Sequence, residues 1–414
     1  MKKIIITLLV LLVALPTVVL AQNLDKVPHS RRMYNMTNNL VRTEIVTPQV
    51  NGYNVYKADL HIHTLFSDGD VTPALRIAEA WYDGLDIIAI TDHLEARTYE
   101  RRMLKALAGY NADGKPHRYS HAGAVKRKPD NTGINSDLNR AFNHAASRAK
   151  KAYPELLVIK GTEIGREPTQ MGHFNALFIK DIQGVYDRDI KESFRKVKEQ
   201  GGLLIHNHPA YRRKTTDKSE WQEGIYAEKW FDGVEIVNGS KFYPKMIRRC
   251  IEENLFMVAA TDTHRPTTAM YRRLGIFRTH TLIFAKENTQ EAIKEALLER
   301  RTLGYCGDNI MGKEELLKDL FNASVECKFI GYINKGKGRK ERLFIITNNS
   351  SYPYSLKKGG ASMILEPFKS VRFSVGKDKE GNWIEPTYYV LNMWHMDDKH
   401  PLIKLQYTTS EEAK

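Results

Sequence analysis

Five times along this chain a short apolar run ends in histidine, aspartate or glutamate. Residues 58–63 end in His61-Ile62-His63, residues 85–91 lead into Asp92-His93, and residues 156–162 lead into Glu163. Residues 203–205 run into His206-Asn207-His208-Pro209, and residues 256–261 into Asp262-Thr263-His264. Apolar runs this short, bounded by polar turns, predict buried strands. Helical stretches lie between them. Thr72-Pro73 predicts a helix start, with Thr as cap and Pro at the first position. Leu75, Ile77, Ala78, Trp81 and Tyr82 are its expected apolar face, and Gly84 its stop. Further helices are expected over residues 136–152, 188–200 and 245–254. Strands alternating with helices predict a parallel β/α fold, and in a β/α barrel the C-terminal strand ends share one face.

That face would gather nine candidate metal ligands: His61, His63, Asp68, His93, Glu163, His173, His208, Asp262 and His264. His173 opens the run 172–179 instead of closing one, so it fits the rule least. Apolar and polar residues alternate from Asp59 to His63. Both imidazoles therefore share a strand face, about 6–7 Å apart and within reach of one ion. The turn Ser67-Asp68-Gly69 then sets a carboxylate just beyond. Imidazoles and carboxylates without thiolates suit Zn, Mn or Fe. Nine donors exceed one ion's needs and suit two or three, with a carboxylate bridging a pair. Closely spaced divalent ions clamp phosphoryl oxygens and acidify bound water. Arg97, Arg166, Arg212, Arg213 and Arg265 follow ligand candidates closely and are candidate phosphate contacts. Asp59 and Asp92, beside ligands, read as strand-end polar groups.

Composition narrows the partners. The 63 Lys and Arg outnumber the 49 Asp and Glu, and the net charge of +14 suits an anionic substrate. No motif of basic and stacking aromatic residues singles out nucleic acid. Residues 1–21 read as a secretory signal: Lys2-Lys3, an apolar stretch over 4–14, and Val19-Leu20-Ala21 as cleavage site. The expected location is the bacterial periplasm or outside the cell, with no membrane span after signal removal. Residues 22–50 are a polar lead-in. Residues 95–135 form a long basic insert, either a lid or a solvated excursion. Cys250, Cys306 and Cys327 show no metal spacing and no assignable pairing. Residues 51–312 are expected to form the barrel. Residues 320–414, with β-branched and aromatic runs at 342–347, 370–375 and 387–391, are expected to form a smaller all-β domain. His395, Asp397 and Asp398 there read as a polar turn.

His61-Ile-His-Thr-Leu-Phe-Ser-Asp-Gly69, Ile90-Thr-Asp-His93, Glu163, His208-Pro209 and Asp262-Thr-His264 together resemble the polymerase and histidinol phosphatase (PHP) superfamily, over residues 55–310. The resemblance implies a distorted seven-stranded β/α barrel with two or three metal ions. It implies that His61, His63, Glu163 and Asp262 hold one ion. Glu163 would bridge to a second, held by His173 and His208, and Asp68, His93 and His264 would hold a third. Asp262, His208 and Glu163 would be the catalytic centre of hydrolysis by an activated water. His206 stands too early for the family's His-Pro motif and is expected to support a ligand or touch substrate. Export disfavours the family's roles in histidine synthesis and polymerase proofreading. The layout is similar to secreted bacterial phosphodiesterases of the superfamily. Phosphodiesters are therefore the first expectation and phosphomonoesters the second. A non-catalytic metal-containing binding protein and a hydrolase of carbon–nitrogen or ester bonds are the competing classes.

Overall fold

The structure, a computed structural model, describes residues 41–95, 137–166 and 172–409. The signal segment, most of the lead-in, Arg97 and nearly all of the basic insert lie outside the described residues. The strands are β1 (Asn54–Asp59), β2 (Ile87–Ile90), β3 (Leu157–Arg166), β4 (Gly172–Leu177), β5 (Leu203–His206), β6 (Gly233–Asn238), β7 (Lys241–Phe242), β8 (Phe256–Ala260), β9 (His280–Ala285), β10 (Thr302–Cys306) and β11 (Asn309–Gly312). They continue as β12 (Val325–Asn334), β13 (Lys340–Asn348), β14 (Tyr354–Lys358), β15 (Ala361–Leu365), β16 (Ser370–Val375), β17 (Thr387–Val390), β18 (Met393–Trp394) and β19 (Leu402–Lys404). The helices are α1 (Pro73–Tyr82), α2 (Leu138–Ala152), α3 (Ile190–Glu199), α4 (Glu220–Ala227), α5 (Pro244–Glu252), α6 (Gln290–Leu298) and α7 (Glu314–Ser324).

One sheet of twelve strands carries the first part, in the order β18-β11-β10-β9-β1-β2-β3-β4-β5-β6-β7, with β8 alongside β6. The expected count of seven does not describe it. Pairs β1–β2, β2–β3, β5–β6 and β6–β8 are parallel. β4 runs antiparallel to both β3 and β5. The sheet curls until the end of β8 meets the end of β1. There Ile62 pairs with Thr263 in parallel. The Asp262 N–H donates to the His61 carbonyl at 2.9 Å, and the His63 N–H to that of Thr263 at 3.1 Å. Side chains fasten the other flank of β8: the Thr302 hydroxyl accepts from Met257 N–H at 3.1 Å, and that of Thr281 from Ala259 N–H at 2.9 Å.

Strand alternation divides the apolar residues into two layers. Ile87 and Ala89 of β2 join a cluster with Ala58, Leu60, Ile159, Ile205, Val258 and Ala260. Ile88 and Ile90 face the helices, packing with Ile77, Ala80, Phe142, Phe194 and Ile247. Helix α1 departs from expectation. Thr72 does cap it, accepting from Leu75 N–H at 3.2 Å. Its buried face, however, is Pro73, Arg76, Ile77, Glu79 and Ala80, while Leu75 is 44% exposed. Two charged residues take the inner stripe because Arg76 has backbone carbonyls to satisfy there.

The second part is antiparallel, with a three-stranded sheet β12-β13-β16 and a four-stranded sheet β15-β14-β17-β19. Helix α7 leads directly into β12. Phe321, Phe344, Tyr352, Tyr354 and Val390 share a core with Leu282, Phe284, Leu303 and Tyr305 from β9 and β10. His280 of β9 reaches across to the Tyr352 hydroxyl at 2.9 Å. In the turn after β18, Asp397 pairs with Arg248 of α5. The three cysteines are free, and Cys250 is buried in α5.

Candidate metal centre

β1 stops at Asp59, two residues before the first histidine. His61 and His63 sit on the extended segment beyond it, where the Thr91 hydroxyl takes the Ile62 N–H at 2.9 Å. Alternation persists without the ladder, and the two Nε2 atoms face each other at 3.1 Å. Glu163, on β3, stands at the centre. Its Oε2 lies 3.4 Å from His61 Nε2, 3.3 Å from His63 Nε2 and 3.0 Å from His93 Nδ1. Its Oε1 lies 3.2 Å from His173 Nδ1 and 3.3 Å from His208 Nε2. Asp262 Oδ1 is 3.1 Å from His63 Nε2. Asp68 joins His264 at 3.2 Å and His93 at 3.6 Å.

All nine expected ligands therefore converge. They fall into four overlapping groups: His63-Asp68-His93-His264, His61-His63-Asp262, His61-Glu163-His208 and His93-Glu163-His173. Around Glu163, His173 and His208 face Oε1 and His61 and His63 face Oε2, as expected, with His93 also on the Oε2 side. His173 fits because β4 is reversed. Gly165 of β3 pairs with His173, so the start of β4 lies at the same edge as the ends of its parallel neighbours.

The donor set fits divalent ions. Donors at about 2.1 Å from one ion stand roughly 3.0–3.4 Å from each other, which is the spacing seen around Glu163. Asp68 Oδ1 and His93 Nδ1 are buried without a well-directed hydrogen bond, each held close to another member of the cluster: Asp68 Oδ1 at 3.2 Å from His264 and His93 Nδ1 at 3.0 Å from Glu163. Burial would raise the carboxyls of Glu163, Asp262 and Asp68, but the surrounding histidines hold all three well below the usual range. Buried carboxylates that stay ionised are what a cation requires. Burial pulls His93 down, yet Glu163 and Asp68 carry it up to about 10. Backbone strain gathers here too: His208 has φ 26° and Asp262 φ 51°.

Residues around the ligands hold them in place. Glu235, not anticipated from sequence, is fully buried on β6. Its Oε1 lies 2.7 Å from His61 Nδ1, and its Oε2 accepts the His208 N–H at 2.6 Å. The available signal was a charge in the middle of the apolar run Gly233-Val-Glu-Ile-Val237. Arg76, also missed, donates to the carbonyls of His63 at 2.8 Å, Arg265 at 2.9 Å and Thr263 at 3.0 Å, and pairs with Glu79. Asn207 donates to Glu163 Oε1 at 2.9 Å. Asp92 and Asp59 do more than end strands. Asp92 accepts from the Thr64 N–H and the Ser67 hydroxyl, fixing the turn before Asp68. Asp59 is buried against Arg278 at 2.6 Å.

Of the expected substrate groups, His206 lines a cavity with His173, His208 and Arg213 beside the cluster. His206 belongs to none of the four groups. Its Nδ1 is 2.7 Å from the Tyr226 hydroxyl, its ring stacks on Phe231, and burial holds it well below its ordinary pKa. Arg212 and Arg265 are exposed. Arg212 lies over the Tyr211 ring, which itself contacts His208. Arg213 is bound to Gln222 and the Asp217 carbonyl. The Arg166 side chain lies outside the described residues. No helix among the described residues is long and apolar enough to cross a membrane.

No family model matches the chain, and no curated protein does. Among solved structures, the chain is similar to a two-domain protein containing a predicted PHP-like metal-dependent phosphoesterase from Bacteroides vulgatus. The two share 30% identity with a TM-score of 0.74, over 88% of this chain and 98% of that one. PsfC from Pseudomonas syringae is far more distant, at 13% identity and TM-score 0.37, over 65% of this chain and 96% of its own. An amidohydrolase from Chromobacterium violaceum stands at 14% and 0.30, over 50% and 88%. Neither of these two carries an argument. The first match spans nearly its whole length at 30% identity, and on that ground the chain belongs to the PHP-like metal-dependent phosphoesterases.

Proposed function

We propose that the protein is an exported phosphodiesterase that hydrolyses its substrate at a centre of two or three Zn, Mn or Fe ions. One observation carries the reading: the Glu163 carboxylate turns one oxygen toward His61, His63 and His93, and the other toward His173 and His208. Such a carboxylate suits a pair of ions, with Asp262 and the group Asp68, His93 and His264 completing the set. Bound ions would supply an acidified water and neutralise charge on the phosphoryl oxygens.

The chain's own contribution is placement. Glu235 fixes the His61 ring by its Nδ1 and holds the backbone of His208. Asn207 holds Glu163 from one side. Asp92 and Arg76 fix the two mouth segments carrying His63, Asp68 and His264. Among the described residues, the ion pairs of Asp68, Glu163 and Asp262 are all with histidines. Arg76 and Arg278 are committed to carbonyls and buried carboxylates. The diester preference rests on the layout's likeness to secreted phosphodiesterases of the superfamily; among the described residues, Arg213 lines the cavity beside His173 and His208 and is placed to meet a phosphate.

Turnover of bis-p-nitrophenyl phosphate and p-nitrophenyl phosphate, with metal content in parallel, tests this. Asp262→Asn is the control, because Asn tolerates the left-handed backbone at that position. Diester turnover, bound metal, and loss of both in the variant are expected. Monoester turnover alone would reassign the substrate. Bound metal with neither activity would make the site a binding centre.

A further inference from the structure

Beyond β8 the chain forms a lip whose surface the phosphoesterase reading leaves unexplained. Met270, Leu274 and Ile276 are exposed within seven residues, and Leu274 is 67% exposed. Isolated exposed apolar residues need no explanation, but a cluster does. Arg265 and Arg273 are exposed beside them. The lip is held from beneath. Tyr271 is buried, and the Arg272 guanidinium donates to the Tyr82 carbonyl at 2.8 Å. Thr267 is bound by Glu79 and Asp83 of the α1 end. Gly275, at φ 66°, turns the chain back so that its N–H reaches the Arg272 carbonyl, leaving Leu274 at the apex. The lip adjoins the metal centre directly: Thr263, between ligands Asp262 and His264, places its hydroxyl 3.8 Å from Met270 Sδ.

We propose that this lip seats the protein on an anionic phospholipid bilayer, presenting headgroup phosphodiesters to the centre beside it. Apolar side chains interleaved with arginines are the composition of segments that lie in a membrane interface. Arg265 and Arg273 complement a negatively charged headgroup layer, and the whole-chain charge of +14 reinforces the attraction. The surface role stands on these residues alone; the delivery of headgroups rests on the phosphodiesterase reading.

The test uses the full chain carrying an environment-sensitive fluorophore on Leu274→Cys, with Ile364→Cys as a second labelled position. Ile364, on β15, is also highly exposed but lies on the C-terminal sheet. Each is mixed with phosphatidylglycerol–phosphatidylcholine vesicles and with pure phosphatidylcholine vesicles. The expected result is a blue shift at position 274 with the anionic vesicles only, weakened several-fold by Arg265→Glu plus Arg273→Glu, and none at position 364. Equal shifts at both positions would show nonspecific adsorption and overturn the proposal. Sedimentation with vesicles without a shift at 274 would place binding elsewhere, such as the apolar residues 4–14. A concentration-dependent shift without vesicles would make the lip a self-association surface. A soluble diester separates the two readings: its turnover should survive Arg273→Glu alone if only surface binding is lost.

Discussion

Glu235 touches a ligand imidazole with one oxygen and a ligand backbone N–H with the other. Groups in that position typically change metal affinity by about 10–100-fold when altered. Glu235→Gln keeps the shape but loses the charge facing His61, and a chelator-competition titration should show a loss in that range. An unchanged affinity would reduce Glu235 to a buried structural group. The nine candidate ligands could be listed because most of them follow apolar runs, where a barrel brings side chains together, with His173 at a strand start as the exception. Glu235 was not, because a single acid inside an apolar strand reveals no partner until β6 lies opposite His61. His206 shows the converse. It is set in the motif His206-Asn-His-Pro209, yet its ring is turned into the aromatic core by Tyr226 and Phe231. Sequence shows the residue type, and only the fold shows the direction.

At the scale of elements, α1 was located correctly and its face read in part: Ile77 is buried and Trp81 packs on the core as expected, but Arg76 and Glu79 are buried and Leu75 is exposed. Periodicity assigns apolar residues to the core, but the C-terminal edge of the sheet offers backbone carbonyls, and Arg76 donates to three of them. Removing one partner of a buried ion pair costs about 3–5 kcal/mol. Arg76→Met should therefore lower unfolding stability by about that amount, whereas exposed Leu75→Ala should stay within about 0.5 kcal/mol. Urea denaturation of both variants decides which face is structural. β4 was also located without its direction. Nothing in the run from Gly172 to Leu177 distinguishes parallel from antiparallel, so His173 looked misplaced until the ladder with β3 and β5 reversed it. β10 and β14 were missed because Thr302-Leu-Gly-Tyr-Cys306 and Tyr354-Ser-Leu-Lys-Lys358 have weak apolar patterns and carry no chemistry.

At the scale of the whole molecule, His280 links the large sheet to the C-terminal strands through Tyr352. Burial lowers its pKa from 6.5 to about 3. The unfolded chain takes up this proton first, so the neutral histidine's contribution is complete above pH 6.5 and is lost as pH falls toward 3. The loss can reach about 1.4 kcal/mol per pH unit. Denaturation between pH 7 and 4 should show a shallower decline for His280→Gln than for the native chain, and parallel curves would contradict the assignment. The closure between β8 and β1 carries a different consequence. Its backbone bonds come from His61, His63, Asp262 and Thr263, so the residues that would grip the ions also clasp the curled sheet. Chelation should therefore be felt mechanically. Amide exchange should quicken at His63 and Asp262 before it does in β2, whereas uniform quickening would mean the clasp is held elsewhere. A descendant of this protein that gave up its ions would have to fasten the same line some other way, so chemistry and closure constrain each other's drift.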